Sequence, residues 1–402
     1  MMEYLRIGTE YYKIVKRPLI DGSVAPSIVK WKRHTIIDDH SKDYIREIPK
    51  YEGFTVQPAH IDYKKTVKGF YNRYMPLTHS FDATYTDGSI PKTLGFLEHI
   101  FGDQLQLGLD YISILWNKPT QILPILCLVS EERNTGKTTF LNWLKLIFQD
   151  NMTINKNEDF RSRFNADWSE KLIVAIEEVL LEKREDSERI KNLSTAKTYK
   201  TEAKGKDKVE TNFFGKFILC SNHERNFILV DDKEIRFWVR KIPQIDKPDP
   251  DLEEILKDEL PYFLDFMSNR SYSTNRKTRM WFTKEQIHTE ALEIIKRGTK
   301  FFFEKELILL LDEMFEDFEV ETLDLSYSDI INLFNDARHK VSRREIANVV
   351  IDKWKIEHKN SSYNHYYKSI DPSTNTWQVS VQNKKGRYFS FEKQFIKNML
   401  NC

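Results

Sequence analysis

The chain has 402 residues, enough for two or three domains of roughly 100–200 residues each. Apolar residues make up 40% and charged residues 31%, with only 13 Gly and 13 Pro, which excludes a disordered chain, a collagen-like repeat and a Gly/Ser-linked array. Its 62 basic and 61 acidic residues leave a net charge of +1, so any attraction to nucleic acid must come from local patches.

No apolar run approaches the roughly 18–20 residues that span a bilayer, and the opening MMEYLRIGTEYYK lacks the pattern of a signal peptide. Three cysteines, an odd number, do not make a disulfide framework. Cys127 and Cys220 lie in apolar runs and Cys402 ends the chain, so all three read as reduced thiols of a cytoplasmic protein. Ten scattered histidines have no metal-ligand spacing, and structural zinc is not expected.

In chain order, residues 1–88 form an N-terminal α+β module with short β-like runs at Tyr11–Val15 and Ser27–Trp31. Residues 51–54 and 71–76 read as irregular connections. From Lys92 to Trp116 apolar residues recur every three or four positions, which predicts helix. Apolar runs at 122–129, 172–176 and 217–220 suit strands buried on both faces. A helical stretch at 139–148 lies between the first two, and this alternation predicts an α/β core with a parallel sheet over residues 89–248. After Pro248-Asp249-Pro250 a helical region at 249–300 is expected, with helices near 251–269 and 284–297. A separate domain follows at 301–402.

The strand ending at Val129 leads into a loop closed by Gly136-Lys137-Thr138, the core of a Walker A phosphate-binding loop. Glycine lets backbone approach phosphate oxygens, and amides at a helix start point at them. Lys137 reaches the β- and γ-phosphates and the Thr138 hydroxyl serves Mg2+, which makes Asn134, Thr135, Gly136, Lys137, Thr138 and Thr139 the candidate ATP contacts. Glu131 stands where the first glycine of the pattern belongs. By itself the tripeptide is equally a helix start with a solvent-facing lysine.

The run 172–176 ends in Glu177-Glu178. In nucleotide hydrolysis one acid at a strand end helps hold Mg2+ and a second polarises the attacking water. The run 216–220 ends in Ser221-Asn222, where a polar side chain is placed to orient water at the γ-phosphate or simply to cap the strand. Arg236 and Arg240 follow, and the residues alone do not choose between them as a source of transition-state charge for a neighbouring subunit.

Taken in order, Leu128-Val129-Ser130, Thr135–Asn142, Ile176-Glu177-Glu178 and Ile235–Arg240 resemble the superfamily 3 helicases of viruses, phages and plasmids. The likeness is greatest to the helicase part of phage or plasmid primase-helicases and covers roughly residues 90–245. It implies an AAA+-like P-loop ATPase core, with Glu177 on the metal, Glu178 as catalytic acid, Asn222 as γ-phosphate sensor and Arg236 as the arginine finger. It further implies a homo-hexameric ring around one DNA strand, a primase or other replication protein as partner, and host cytoplasm as the location if the source is viral.

Between the second and third core strands, residues 191–216 hold seven lysines against three acids. A turn at Lys204–Asp207 predicts a hairpin, and Lys204, Lys206 and Lys208 become candidate DNA-backbone contacts. Further on, Ser342–Glu345 is a capping box opening a helix through Trp354, after an earlier short helix near Ser328-Asp329. Trp377–Val381 alternates, turns at Asn383–Gly386 and returns through Arg387–Phe391. Helix, helix and basic hairpin is the layout of a winged helix, so Arg343, Arg344, Lys384, Lys385 and Arg387 are further candidate DNA contacts. The eight tryptophans read as core rather than base-stacking residues.

The expected function is an ATP-dependent DNA helicase acting on single-stranded or forked DNA. The alternative is a nucleotide-switched winged-helix initiator or regulator that does not unwind, for which Glu131 is the supporting feature.

Overall fold

A computed structural model describes residues 4–18, 24–162, 165, 167–181, 184–201, 209–231, 233–336, 341–370 and 376–400. They form two compact units. The first comprises 1–179, 190–222 and 235–289, and the second 180–189, 223–234 and 290–402. Among the described residues no helix is long and apolar enough to cross a membrane.

The first unit opens with a small sheet of Tyr4–Ile7, Glu10–Pro18, Val24–Trp31 and Lys50–Tyr51. A second sheet of three very short strands, Phe54–Thr55, Thr66–Val67 and Phe70–Asn72, overlaps at residues 54 and 71–72 the segments read above as irregular. His60 ties this region to the core. Its ring hydrogen-bonds the Trp116 carbonyl at 2.8 Å and the Tyr74 hydroxyl at 2.6 Å and stacks on Trp116. Burial pushes its pKa down to about 4.

The core of this unit is a five-stranded parallel sheet: β1 (Ile125–Val129), β2 (Met152–Asn155), β3 (Ile173–Ile176), β4 (Lys216–Ser221) and β5 (Phe237–Lys241), in the spatial order β5-β1-β4-β3-β2. Every residue of β1, β3 and β4 is buried, which is why 125–129, 173–176 and 217–220 read as unbroken apolar runs rather than alternating ones. Cys127 and Cys220 are free thiols inside these strands, and burial pushes Cys220 up to about 12, far from reactive. The helical region 92–116 divides into α1 (Pro91–Phe101) and α2 (Leu105–Asn117), and α3 (Lys137–Phe148) and α4 (Leu252–Asn269) pack on the same core. In α3 the inward stripe is Phe140, Leu141, Trp143, Leu144, Ile147 and Phe148. Burying each such side chain stabilises the fold by about 1.5–3 kcal/mol.

The second unit is built on α5 (Glu290–Phe318), which runs across position 300, where the sequence reading drew its last boundary. Its buried positions Leu307, Leu311 and Phe315 recur every four residues. Then come β6 (Thr322–Leu325), α6 (Tyr327–Asp336), α7 (Arg343–Ala347), β7 (Lys359–Ile370), β8 (Trp377–Glu392) and α8 (Lys393–Leu400). The expected capping box is present: Ser342 Oγ accepts from the Glu345 amide, while Glu345 accepts from the Ser342 amide at 2.8 Å. The helix continues to Lys353, but residues 348–353 adopt the wider π form.

One element corrects the sequence reading. The turn expected at Asn383–Gly386 is absent, and these residues lie in the middle of β8, a continuous 16-residue strand. Its partner is β7, paired from Lys359↔Tyr388 to Ile370↔Trp377. The polar, Tyr-rich run 359–370 carried no apolar signal of a strand. The Asn and Gly looked like a turn only because their cross-strand partners were invisible.

Candidate functional site

Because β1 to β5 are all parallel, their carboxyl ends lie along one edge of the sheet, the edge where α/β proteins place ligands. The loop after β1, the Glu177-Glu178 pair after β3 and Asn222 after β4 all fall on it. The Ser130 amide donates to the Ser221 carbonyl at 3.2 Å, which sets the start of the loop beside Asn222, an exposed residue.

The loop is shaped by two residues in the left-handed region, Asn134 at φ 52° and Gly136 at φ 81°. A side chain at 136 would also stand 3.1 Å from the Phe96 ring. The Asn134 carbonyl accepts from the Ile245 amide at 2.9 Å, and the Thr135 carbonyl lies 3.1 Å from the His99 ring nitrogen. Phe96, His99 and Ile245 therefore brace the loop from α1 and from the segment after β5, and no sequence motif marks them. Gly136 caps α3, so Lys137, Thr138 and Thr139 occupy its first turn, where amides lack intrahelical acceptors and face an incoming anion. Lys137 is buried, with its Nζ 3.4 Å from the Ser130 carbonyl. Glu131 is exposed.

The Thr138 hydroxyl donates to Glu177 Oε1 at 2.6 Å, bringing together the two residues read as Mg2+ ligands. Oxygen donors of this kind suit a hard divalent cation. Glu178 has φ 54°, an uncommon conformation for a side-chain-bearing residue, and its carbonyl accepts from Asn157 Nδ2 at 3.2 Å. Lys156, one residue past β2, was not singled out in the sequence. Its Nζ lies 3.0 Å from Glu178 and 3.9 Å from Glu177. The Glu178 hydrogen bond, ahead of the charges of both acids, raises the Lys156 pKa. A lysine at a strand end has no distinguishing neighbours in sequence, because only the sheet sets β2 beside β3.

The two arginines separate clearly. Arg236 immediately precedes β5, and its carbonyl accepts from the Ile125 amide at the amino edge of the sheet, opposite the loop. Arg240, near the carboxyl edge, pairs with Asp103 at 2.9 Å and donates to Gln104 Oε1 at 3.0 Å, an oxygen that Trp238 Nε1 also reaches at 2.7 Å.

Of the candidate DNA contacts, Lys204, Lys206 and Lys208 lie outside the described residues. The strands flanking them, Thr198–Thr201 and Val209–Asn212, pair antiparallel as a hairpin requires. The local lysine count overstates the exposed charge, because Lys191 and Lys216 are buried. In the second unit Arg343, Arg344, Lys385 and Arg387 are exposed. Lys384 is not a free contact. It pairs at 2.7 Å with the buried carboxylate of Asp329, which also accepts from Tyr363 at 2.8 Å and from Ser326. Trp377 corrects the reading of all tryptophans as core, since 70% of it is exposed.

A model of a family of unknown function, DUF5906, matches residues 128–240, from β1 to β5, a stretch that holds Lys137, Thr138, Lys156, Glu177, Glu178, Asn222 and Arg236. No curated protein matches the chain. Among solved structures, the apo structure of the NrS-1 C-terminal region, residues 305–718, superposes with a TM-score of 0.57 at 14% identity, covering 96% of this chain and 95% of that one. The A form of the same apo region gives 0.56 at 14% identity, with coverages of 96% and 95%. A further A-form structure gives 0.56 at 13%, with coverages of 95% and 94%. The chain is thus similar in fold to the NrS-1 C-terminal region over nearly the whole length of both.

Proposed function

We propose that this protein is an ATP-dependent DNA helicase of phage or mobile-element replication, with a P-loop ATPase core of the AAA+ type and a winged-helix second unit. The observation that carries this reading is the 2.6 Å hydrogen bond from Thr138 to Glu177, beside a lysine-bearing loop at the start of α3. Similarity of fold to the NrS-1 C-terminal region is consistent with it.

In this reading the amides of residues 134–139 cradle the phosphates of ATP, and Lys137 leaves the Ser130 carbonyl to neutralise them. Thr138 and Glu177 would hold Mg2+, which when bound would supply charge to offset that of the phosphate oxygens. Glu178 takes the proton of the attacking water, and Asn222 orients that water. Arg236 lies on the edge away from its own loop, so it serves the site of a neighbouring subunit in a ring. The hairpin carrying Lys204, Lys206 and Lys208 grips the backbone of one DNA strand, and Arg343, Arg344, Lys385 and Arg387 add contacts on the second unit.

The test is steady-state ATP hydrolysis with and without single-stranded DNA, wild type beside Lys137→Ala. DNA-stimulated turnover that disappears in the variant supports a motor. ATP binding without turnover in the folded wild type would instead favour the nucleotide-switched initiator, with Glu131 as its first suspect.

A further inference from the structure

The β7–β8 hairpin is chemically unlike the rest of the chain. Its paired strands, residues 359–370 and 377–392, hold five cations against one acid, Glu392, and seven aromatic side chains, in a chain whose net charge is only +1. Its two faces also differ. On one, Lys384 pairs with buried Asp329 and Tyr363 stacks on Tyr388 at 4.7 Å, so that face packs inward.

Strand alternation puts Trp377, Val379, Val381, Asn383, Lys385 and Arg387 together on the other face, which continues into the buried core residues Phe389 and Phe391 and on which Tyr366, opposite Val381, stacks against Phe318. Ile370 lies directly opposite Trp377 and Lys368 opposite Val379. Here Trp377 is 70%, Ile370 50%, Val379 46% and Val381 52% exposed. Lys368 is engaged with Asp317 at 2.6 Å. Lys385 and Arg387 are exposed and have no ion-pair partner among the described residues. The stripe from Trp377 to Arg387 is about 33 Å long, apolar and aromatic at one end and cationic at the other.

We propose that this face is a platform for single-stranded nucleic acid, with Trp377 stacking on a base, Ile370, Val379 and Val381 forming the apolar floor beside it, and Lys385 and Arg387 holding phosphates of the same strand. An exposed indole and cations along one strand face are the combination that single-strand binders use, because every base offers a flat face and every nucleotide a phosphate, and several nucleotides span the distance between them. The charge pattern selects this occupant over a second copy of the chain. The strand residues of this face include no acid, so a second copy of it would bring no carboxylate to Lys385 and Arg387, whereas a nucleic acid brings phosphates. The proposal rests on the helicase reading for the presence of a single strand, and adds the side chain that contacts its bases.

The experiment measures binding of fluorescein-labelled oligothymidylate to the full chain by anisotropy across a salt series, for wild type, Trp377→Ala, Trp377→Phe and Lys385→Ala/Arg387→Ala. Trp377→Ala is expected to weaken binding at least about five-fold with an unchanged salt slope, while Trp377→Phe retains most of the affinity. The double variant is expected to flatten the salt slope by about two phosphate contacts. Thermal melting of each variant is expected to match wild type, because these side chains are exposed. Wild-type affinity in Trp377→Ala alongside a flattened slope in the double variant overturns the stacking platform and leaves DNA binding standing. Absence of any binding by wild type overturns the DNA-binding reading as well. A change of sedimentation on Trp377→Ala with unaltered DNA affinity shows instead that the face joins two copies.

Discussion

Thr138 and Glu177, 39 positions apart in sequence, are joined by a 2.6 Å hydrogen bond that links the first turn of α3 to the end of β3. If this pair holds Mg2+, Thr138→Val removes one oxygen ligand without changing the side chain's shape. Half-saturating Mg2+ for ATP turnover is expected to rise about tenfold or more. Glu177→Gln is expected to behave alike, and the double variant to lose less than the product of the two single losses. Turnover titrated with Mg2+ reads both effects, and independent, fully multiplying losses would argue against a shared cation.

Lys156 places its ammonium between the same acids. It and Glu178 are exposed, so Lys156→Ala is expected to change stability by less than about 0.5 kcal/mol. Its charge competes with a divalent cation for the carboxylates. Removing it is expected to lower half-saturating Mg2+ about two- to tenfold. A higher Mg2+ requirement in Lys156→Ala would show that the lysine supports the cation site instead.

Arg236 and Arg240 carry opposite expectations. Arg236 sits at the amino edge of the sheet, a strand length of about 16 Å from its own loop, so Arg236→Ala is expected to cut turnover about 10³-fold only through the neighbour's site. Mixing Arg236→Ala with Glu178→Gln subunits is expected to restore part of the activity that neither has alone. Arg240→Ala is expected to lower the melting temperature, because it removes a largely buried side chain that bonds Gln104 alongside Trp238. No recovery in the mixture would sink Arg236 as a residue acting between subunits.

Asp329 organises the second unit rather than binding DNA. Burial pushes its pKa up, but hydrogen bonds from Lys384, Ser326 and Tyr363 outweigh this and hold it at about 2. The folded value lies below the unfolded one of about 3.9. The stabilisation is therefore full above pH ~4 and lost as pH falls toward 2. Asp329→Asn is expected to cost about 2–4 kcal/mol at neutral pH, with the gap in melting temperature to wild type closing on acidification. Lys384→Ala is expected to share the stability loss and to leave the salt slope of DNA binding unchanged.

Lys216 is fully buried, and its ammonium is held by the carbonyls of Pro119 and Phe214. Burial pushes its pKa down to about 7. Its folded value lies below the unfolded one, so stability is expected to be greatest near and above pH ~10 and to fall as pH drops toward 7. Lys216→Met is expected to flatten that dependence and raise the melting temperature at pH 7. Equal slopes in the two proteins would show that the lysine remains charged throughout.

Local chemistry made much of this legible before any coordinates. The buried strands announced themselves because burial on both faces demands unbroken apolar runs. The loop and the Glu177-Glu178 pair stood out as candidates because phosphate and metal chemistry need particular residues in sequence order. What depends on cross-strand or cross-chain neighbours was not. Asn383 and Gly386 resemble a turn until β7 lies beside them, and Lys384 and Lys216 look like surface charge until Asp329 and the core enclose them.

By itself the sequence determined which segments must be buried and which residues are candidates to meet phosphate, because both are properties of a residue and its near neighbours. Only the tertiary structure decided that Thr138 meets Glu177, that Lys156 meets Glu178, that the Arg236 backbone lies at the edge of the sheet opposite its own loop and that Trp377 stands in solvent. Those are consequences of strand order and register, and a parallel sheet takes both from contacts between residues far apart in the chain.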